Sequence, residues 1–181
     1  MKTIKNVWVA LALILVYACD ADDDTGIDES QPRFSFRISG DGFSRTFTND
    51  DDLENIQLNL KHDADYEFIF SGGDTGGTKL IQMQYPTDYI EFDTTPFPPA
   101  PWEQTFPSGS LSGIIFWEGD PSNPITGNIL NGTLRPNGEL VSITLYFRVE
   151  DFGGEARTSN VTDGSLQILI DDHPTELINL N

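Results

Sequence analysis

Val141, Ile143, Leu145, Phe147 and Val149 alternate without a break with Ser142, Thr144, Tyr146 and Arg148. Successive side chains of a strand point to opposite faces, so this run places its apolar residues on one side and its polar residues on the other. The same period of two sets Phe34, Phe36 and Ile38 against Ser35 and Arg37, and Ile56, Leu58 and Leu60 against Gln57, Asn59 and Lys61. No segment carries a sustained apolar period of 3.6, so no amphipathic helix is expected. A chain of this kind buries its apolar faces by stacking sheet on sheet or by closing a barrel. Further strands are read at 43–48, 66–70, 80–85, 89–92, 111–117, 129–134 and 166–170, and the 111–117 strand is apolar on both faces.

The breaks between strands are chemically specific. Ser39-Gly40-Asp41-Gly42 closes a first hairpin, and Asn49 or Asp50 is placed to cap a helical turn before Leu53. The glycines of 71–77 exclude a strand interior and predict a turn, without the lysine and serine that end a phosphate-binding loop. Asn131-Gly132 and Pro136-Asn137-Gly138 predict a turn or bulge and a second turn. Segment 94–107 holds five prolines, which rule out central sheet and favour extended backbone.

The N-terminus has a different grammar. Lys2 and Lys5 precede an apolar run, 7–17, that is about half of the roughly 20 residues a membrane-spanning helix needs. That is an export signal. Its end, Val16-Tyr17-Ala18-Cys19, resembles the lipobox of bacterial lipoproteins, with Tyr17 bulkier than that motif usually carries. The resemblance implies cleavage after Ala18, a diacylglycerol on the Cys19 thiol and an acylated new amine; two or more fatty chains hold a protein firmly on a membrane where one does not. The aspartates that follow, Asp20, Asp22, Asp23 and Asp24, resemble the surface-export signal of Bacteroidota lipoproteins, which implies an outer-membrane protein facing the cell exterior. Residues 19–32 have the composition of a flexible acidic tether.

Loss of Lys2 and Lys5 with the signal takes the formal net charge from -19 to -21. Such a charge repels nucleic acid, whose binding depends on lysine and arginine displacing counterions. Cys19 is the chain's one cysteine, which leaves none for a disulfide or a zinc-thiolate site. The residues beyond the tether are enough for one domain with an ordinary core.

The segment from Val149-Glu150-Asp151-Phe152-Gly153-Gly154 through Ser159-Asn160-Val161-Thr162 to Leu166-Gln167-Ile168 resembles the closing hairpin of bacterial immunoglobulin-like domains, and Tyr66-Glu67-Phe68-Ile69-Phe70 with Asp74 resembles an earlier strand and turn of the same modules. The expected fold is therefore an all-β, immunoglobulin-like antiparallel β-sandwich after a signal peptide (1–18) and the tether (19–32). The domain spans 33–172, with 33–48 read either as its first hairpin or as one appended to it, and 173–181 form a C-terminal tail.

Candidate sites follow from chemistry at single positions. Phe97, Trp102 and Phe106 on the proline-rich segment, with Trp117, either form a platform for the apolar faces of sugars or fold back over the core. Asp50, Asp51, Asp52, Asp151 and Asp163 are candidate ligands for a structural calcium ion, which takes several carboxylate and carbonyl oxygens; no other cofactor is expected. Thr94, within Asp93-Thr94-Thr95, resembles the O-glycosylation motif of exported Bacteroidota proteins. Glycoside hydrolysis needs two carboxylates at a set separation; Glu118 beside Trp117 and Glu103 beside Trp102 are the pairs to inspect, but acids are too abundant here to single out a catalytic pair. His62 and His173 have no second ligand at metal spacing, and no Gly-x-Ser-x-Gly turn occurs. The expectation is a non-enzymatic, lipid-anchored, surface-exposed binding or accessory module, with glycans as the candidate ligand, or alternatively a structural subunit that docks another envelope protein. Cys19→Ser is predicted to abolish labelling by radioactive palmitate and to move the protein from the membrane to the soluble fraction; an unmodified Cys19 in the mass spectrum of the mature wild-type chain would sink the anchor.

Overall fold

The computed structural model describes residues 30–92, 96–153 and 158–180. Among the described residues twelve strands are formed: β1 (Arg33–Gly40), β2 (Phe43–Thr48), β3 (Ile56–Lys61), β4 (Tyr66–Gly73), β5 (Thr78–Pro86), β6 (Ile90–Phe92), β7 (Glu103–Thr105), β8 (Ser112–Glu118), β9 (Gly127–Pro136), β10 (Val141–Asp151), β11 (Val161–Asp171) and β12 (Glu176–Asn179). They make a five-stranded sheet, β2-β1-β4-β9-β6, and a seven-stranded sheet, β12-β3-β11-β10-β5-β8-β7. The fold is the expected β-sandwich, and its described pairings are antiparallel except for β3 alongside β11.

The alternation read from the sequence decides which side chains enter the space between the sheets. Phe34, Phe36 and Ile38 of β1, Tyr66, Phe68 and Phe70 of β4, and Ile143, Leu145, Phe147 and Val149 of β10 all point inward and are buried. Phe147 meets three rings of the opposite sheet, with centroids 5.3 Å from Phe34, 5.1 Å from Phe36 and 5.4 Å from Phe70. Offset and tilted ring pairs of this kind add about 0.5–1.5 kcal/mol each beyond the area they bury.

The first hairpin is integral to the sandwich. β1 pairs with β2 on one side and with β4 on the other, and Asp41 and Gly42 both take positive φ, 47° and 78°, as a two-residue turn of primed type requires. The last residues of the expected tether are also tied to the domain: the Ser30 hydroxyl donates to Asp74 Oδ1 at 3.0 Å and the Thr162 hydroxyl donates to the Pro32 carbonyl at 2.6 Å.

Several local expectations are corrected, each for a tertiary reason. Gly72 and Gly73 belong to β4: a Cβ on Gly72 would stand 2.7 Å from Val149 Cγ2 and 2.8 Å from Ile81 Cγ2, so this glycine lets β4 approach the opposite sheet. Gly132 lies inside a continuous β9, paired with Phe68, and a side chain there would meet the Phe68 and Phe97 rings at 3.0 Å. The helical turn is a 3-10 turn, Leu53–Asn55, with Asp52 at its N-cap and no side-chain cap; Asn49 instead accepts from the Phe34 amide. The proline-rich segment contributes β7 as an edge strand, where the missing proline N–H groups disturb no central ladder. β8 is buried on one face only: Gly113, Ile115 and Trp117 point inward, and Leu111, before the strand, is 71% exposed. The expected tail supplies β12, which pairs antiparallel with β3.

A polar latch holds this C-terminal segment. Asp41 Oδ2 accepts from the Thr175 amide at 2.9 Å and from its hydroxyl at 3.1 Å. The Thr175 hydroxyl also bonds the Tyr66 phenol, which accepts from the Lys61 amide at 2.9 Å. The amide of Thr175 is the main reason the Asp41 carboxyl titrates below its ordinary 3.8.

Two predictions follow from this packing. Phe147→Ala is expected to cost about 3–5 kcal/mol in chemical denaturation, the usual price of an aromatic removed from a closed core. Asp41→Asn keeps a residue that tolerates positive φ but removes the charge from the latch. Because the folded-state pKa is the lower one, the carboxylate's contribution is complete above pH 3.8 and is lost as pH falls through the folded value. The stability gap between wild type and Asp41→Asn should therefore be present at pH 6 and close on acidification below 3.8; a gap that widens in acid would refute the assignment.

Candidate functional site

Between β5 and β6 the chain changes sheets, because β5 pairs with β8 and β10 while β6 pairs with β9. Residues 96–107 pack against this crossing, Phe97 on Phe92 and Gln104 on Tyr85. The result is a cleft of about 240 Å³ lined by Tyr85, Thr87, Ile90, Phe92, Phe97, Gln104 and Phe106. Its walls are rigid because they are rings packed on rings: Phe92 stacks on Phe97 at 4.5 Å and meets Tyr85 edge-on at 4.8 Å, and Phe68 lies beneath both phenylalanines. Gln104 donates through Nε2 to the Tyr85 hydroxyl. Burial pushes the Tyr85 phenol above its ordinary value, with the Gln104 bond opposing it in part, so the ring is neutral at physiological pH and the cleft carries no charge.

Of the four aromatic candidates, Phe97 and Phe106 come together here, and Phe106 is 62% exposed at the rim. Trp102 is 5% exposed: it packs on Phe70 at 6.2 Å, and its Nε1 donates to the Ile129 carbonyl at 3.1 Å. Trp117, 6% exposed, points inward from β8. Both indoles thus serve the core. A platform of all four rings is not assembled, since alternation in β8 and closure of the sandwich end draw the indoles inside. Tyr85, Phe92 and Gln104 were not anticipated; the signal was Pro86-Thr87-Asp88, whose role as a crossing between sheets is visible only once the partners of β5 and β6 are known.

The five aspartates are not brought to one point, and among the described residues no three carboxylate or histidine side chains converge as a metal site. Asp50 pairs with Arg33 at 3.1 Å. Asp51 accepts from the Thr48 amide at 2.7 Å and from Arg45 at 3.1 Å. Asp52 accepts from Asn55 at 2.8 Å. Asp151, fully buried, accepts from the Asn160 amide at 2.7 Å and from its side chain at 2.8 Å. Asp163 faces Arg148 at 3.3 Å. Glu103 and Glu118 are exposed on the outer surface of the seven-stranded sheet, on neighbouring strands, and neither lines the aromatic cleft. His62 lies beside Asp63, and His173 beside Asp171. Cys19, Asp20, Asp22, Asp23, Asp24 and Thr94 lie outside the described residues.

No protein-family model matches the chain, and no curated protein matches it. Among solved structures, the chain is similar to a cohesin module from a Clostridium perfringens family 33 glycoside hydrolase, with 11% identity over 65% of this chain and 97% of that one and a TM-score of 0.36. It is also similar to self-complemented MyfA, the major subunit of Myf fimbriae from Yersinia enterocolitica, with 13% identity over 64% of this chain and 98% of that one and a TM-score of 0.30.

Proposed function

We propose that the protein is a non-catalytic binding module, held on the outer membrane by lipid at Cys19, directed to the cell exterior by the aspartates after it, and taking glycans in the aromatic cleft. The observation that carries the reading is Phe106, a large ring left exposed at the rim of an uncharged cleft whose floor is packed aromatic rings. Sugars present faces of C–H groups that pack on aromatic rings, and a rigid ring loses little entropy on contact. Gln104 and Thr87 supply amide and hydroxyl groups for a sugar's own hydroxyls. The chemistry of the acids agrees with a binding role: Asp51, Asp151 and Asp163 are spent on local bonds that hold turns and strands, and Glu103 and Glu118 stand on an open face rather than astride a cleft.

A second reading has its own support. Among the described residues β2 is an edge of the five-stranded sheet, and its six residues present a side, unpaired among those residues, to which another chain can add a strand. That is the geometry of the assembly alternative, docking to an envelope protein. The two readings separate on one measurement. On a glycan array probed with the full chain, Phe106→Ala is expected to lower the signal at least tenfold with thermal stability unchanged. A blank array combined with a single envelope protein crosslinked through β2 in cells would transfer the function to assembly.

A further inference from the structure

β11 is flanked unequally. On one side β10 pairs with it from Val161 to Ile170. On the other side the parallel ladder with β3 begins at Gln167, opposite Gln57. Upstream of β3 the chain runs through the turn Leu53–Asn55, whose 3-10 geometry cannot continue a ladder. Among the described residues, 163–166 of β11 are therefore left without a strand or any other backbone partner on that side. The gap is bounded at its far end by Thr162, whose hydroxyl donates to the Pro32 carbonyl.

A groove of about 460 Å³ lies between that turn and this stretch. Asp163, Gly164 and Ser165 all line it; successive side chains alternate in direction, so three residues in a row share one space only along the backbone edge of their strand. The edge is bare at Gly164, where a Cβ would stand 2.4 Å from the Phe34 ring. An uncovered edge within a sheet is a template for an added strand, and the charge of the groove selects which one. Asp51, Asp52, Glu54 and Asp163 line it, and no lysine or arginine does. Arg45 offsets Asp51 at 3.1 Å and Arg148 offsets Asp163 at 3.3 Å. Asp52 accepts from the Asn55 side chain at 2.8 Å, and neither it nor Glu54 has a lysine or arginine partner among the described residues. Beyond Ser165, its partner on β11, the Tyr146 ring is 50% exposed, and the face of such a ring attracts a guanidinium or ammonium group. A second copy of the chain, at net charge -19, is an unsuitable occupant; a basic segment complements the groove.

We infer that the groove is a docking site for an extended, arginine- or lysine-bearing segment of a partner protein, which adds a short strand to β11 at 163–166. Main-chain hydrogen bonds to the bare edge hold the segment. Asp52 and Glu54 take its basic side chains on one side of the groove, and an arginine on the other lies over Ser165 onto the Tyr146 ring. The site shares no residue with the aromatic cleft or with β2, so it stands or falls apart from both readings above.

Fluorescence anisotropy of the full chain with a labelled peptide tests this. The peptide alternates arginine and valine over about six residues, long enough to cover the gap at about 3.3 Å per residue. It is expected to bind, whereas a version with glutamate in place of arginine and a version N-methylated along its backbone are not. The double variant Asp52→Asn, Glu54→Gln should weaken binding about tenfold and Tyr146→Ala about threefold, with the thermal midpoint in place, since asparagine also serves at a helix N-cap. Bound peptide should slow amide hydrogen exchange within 163–166. Absence of binding, binding unchanged by the double variant, or equal binding of the N-methylated peptide overturns the inference. Protection at 43–48 in place of 163–166 also overturns it and moves docking to β2.

Discussion

Phe147 is where the two sheets are joined. It reaches from the middle of β10 into a group of three rings on the opposite sheet, all within 5.4 Å, and through Phe36 and Phe68 that group continues to Phe92 and Phe97 at the cleft. With no described residue in an α-helix and no second cysteine for a crosslink, the burial of apolar surface between the sheets has to offset most of the chain entropy lost on folding. The cleft's walls are thus an extension of the core, which is why its rings are fixed.

Dense aromatic packing needs relief elsewhere, and glycine supplies it. At Gly72 the opposite sheet comes so near that a methyl group has no room, and a side chain at Gly164 would stand 2.4 Å from the Phe34 ring. At these positions the small residue matches a large neighbour across the sandwich, as a close-packed interior requires. Their φ angles are unremarkable; the demand is for space.

The same fact explains how much of the fold was legible in the sequence. Period-two alternation in β1, β3 and β10 is a local property, and it located those strands and their inward faces correctly. Gly72 and Gly132 were misread as breaks because the reason for each is a ring or methyl contributed from far along the chain. The short edge strands β7 and β12 were passed over for a related reason: three or four residues carry too little alternation to register, and pairing with β8 and β3 defines them. Of the candidate site, Phe106 was named as one of four rings that either stand exposed or fold back over the core, and only the packing of the other three leaves it at the rim. The fate of Trp102 depended on Phe70 and on the Ile129 carbonyl, which no reading of the 94–107 segment could supply.

The charge distribution ties architecture to partner. Exposed ion pairs such as Arg33 with Asp50 or Arg148 with Asp163 contribute little to stability, and the excess of carboxylates repels copies of the chain from one another. That repulsion has a use in a sandwich whose sheets, among the described residues, end in open edges, because β2 and β12 are templates for unwanted pairing. It also restricts what the molecule can hold. Anionic partners are repelled, whereas the cleft, lined by rings, a hydroxyl and an amide without a charged side chain, presents the field least hostile to an uncharged partner. Acidity guards the edges against copies of the chain and leaves the cleft as the place for uncharged contact.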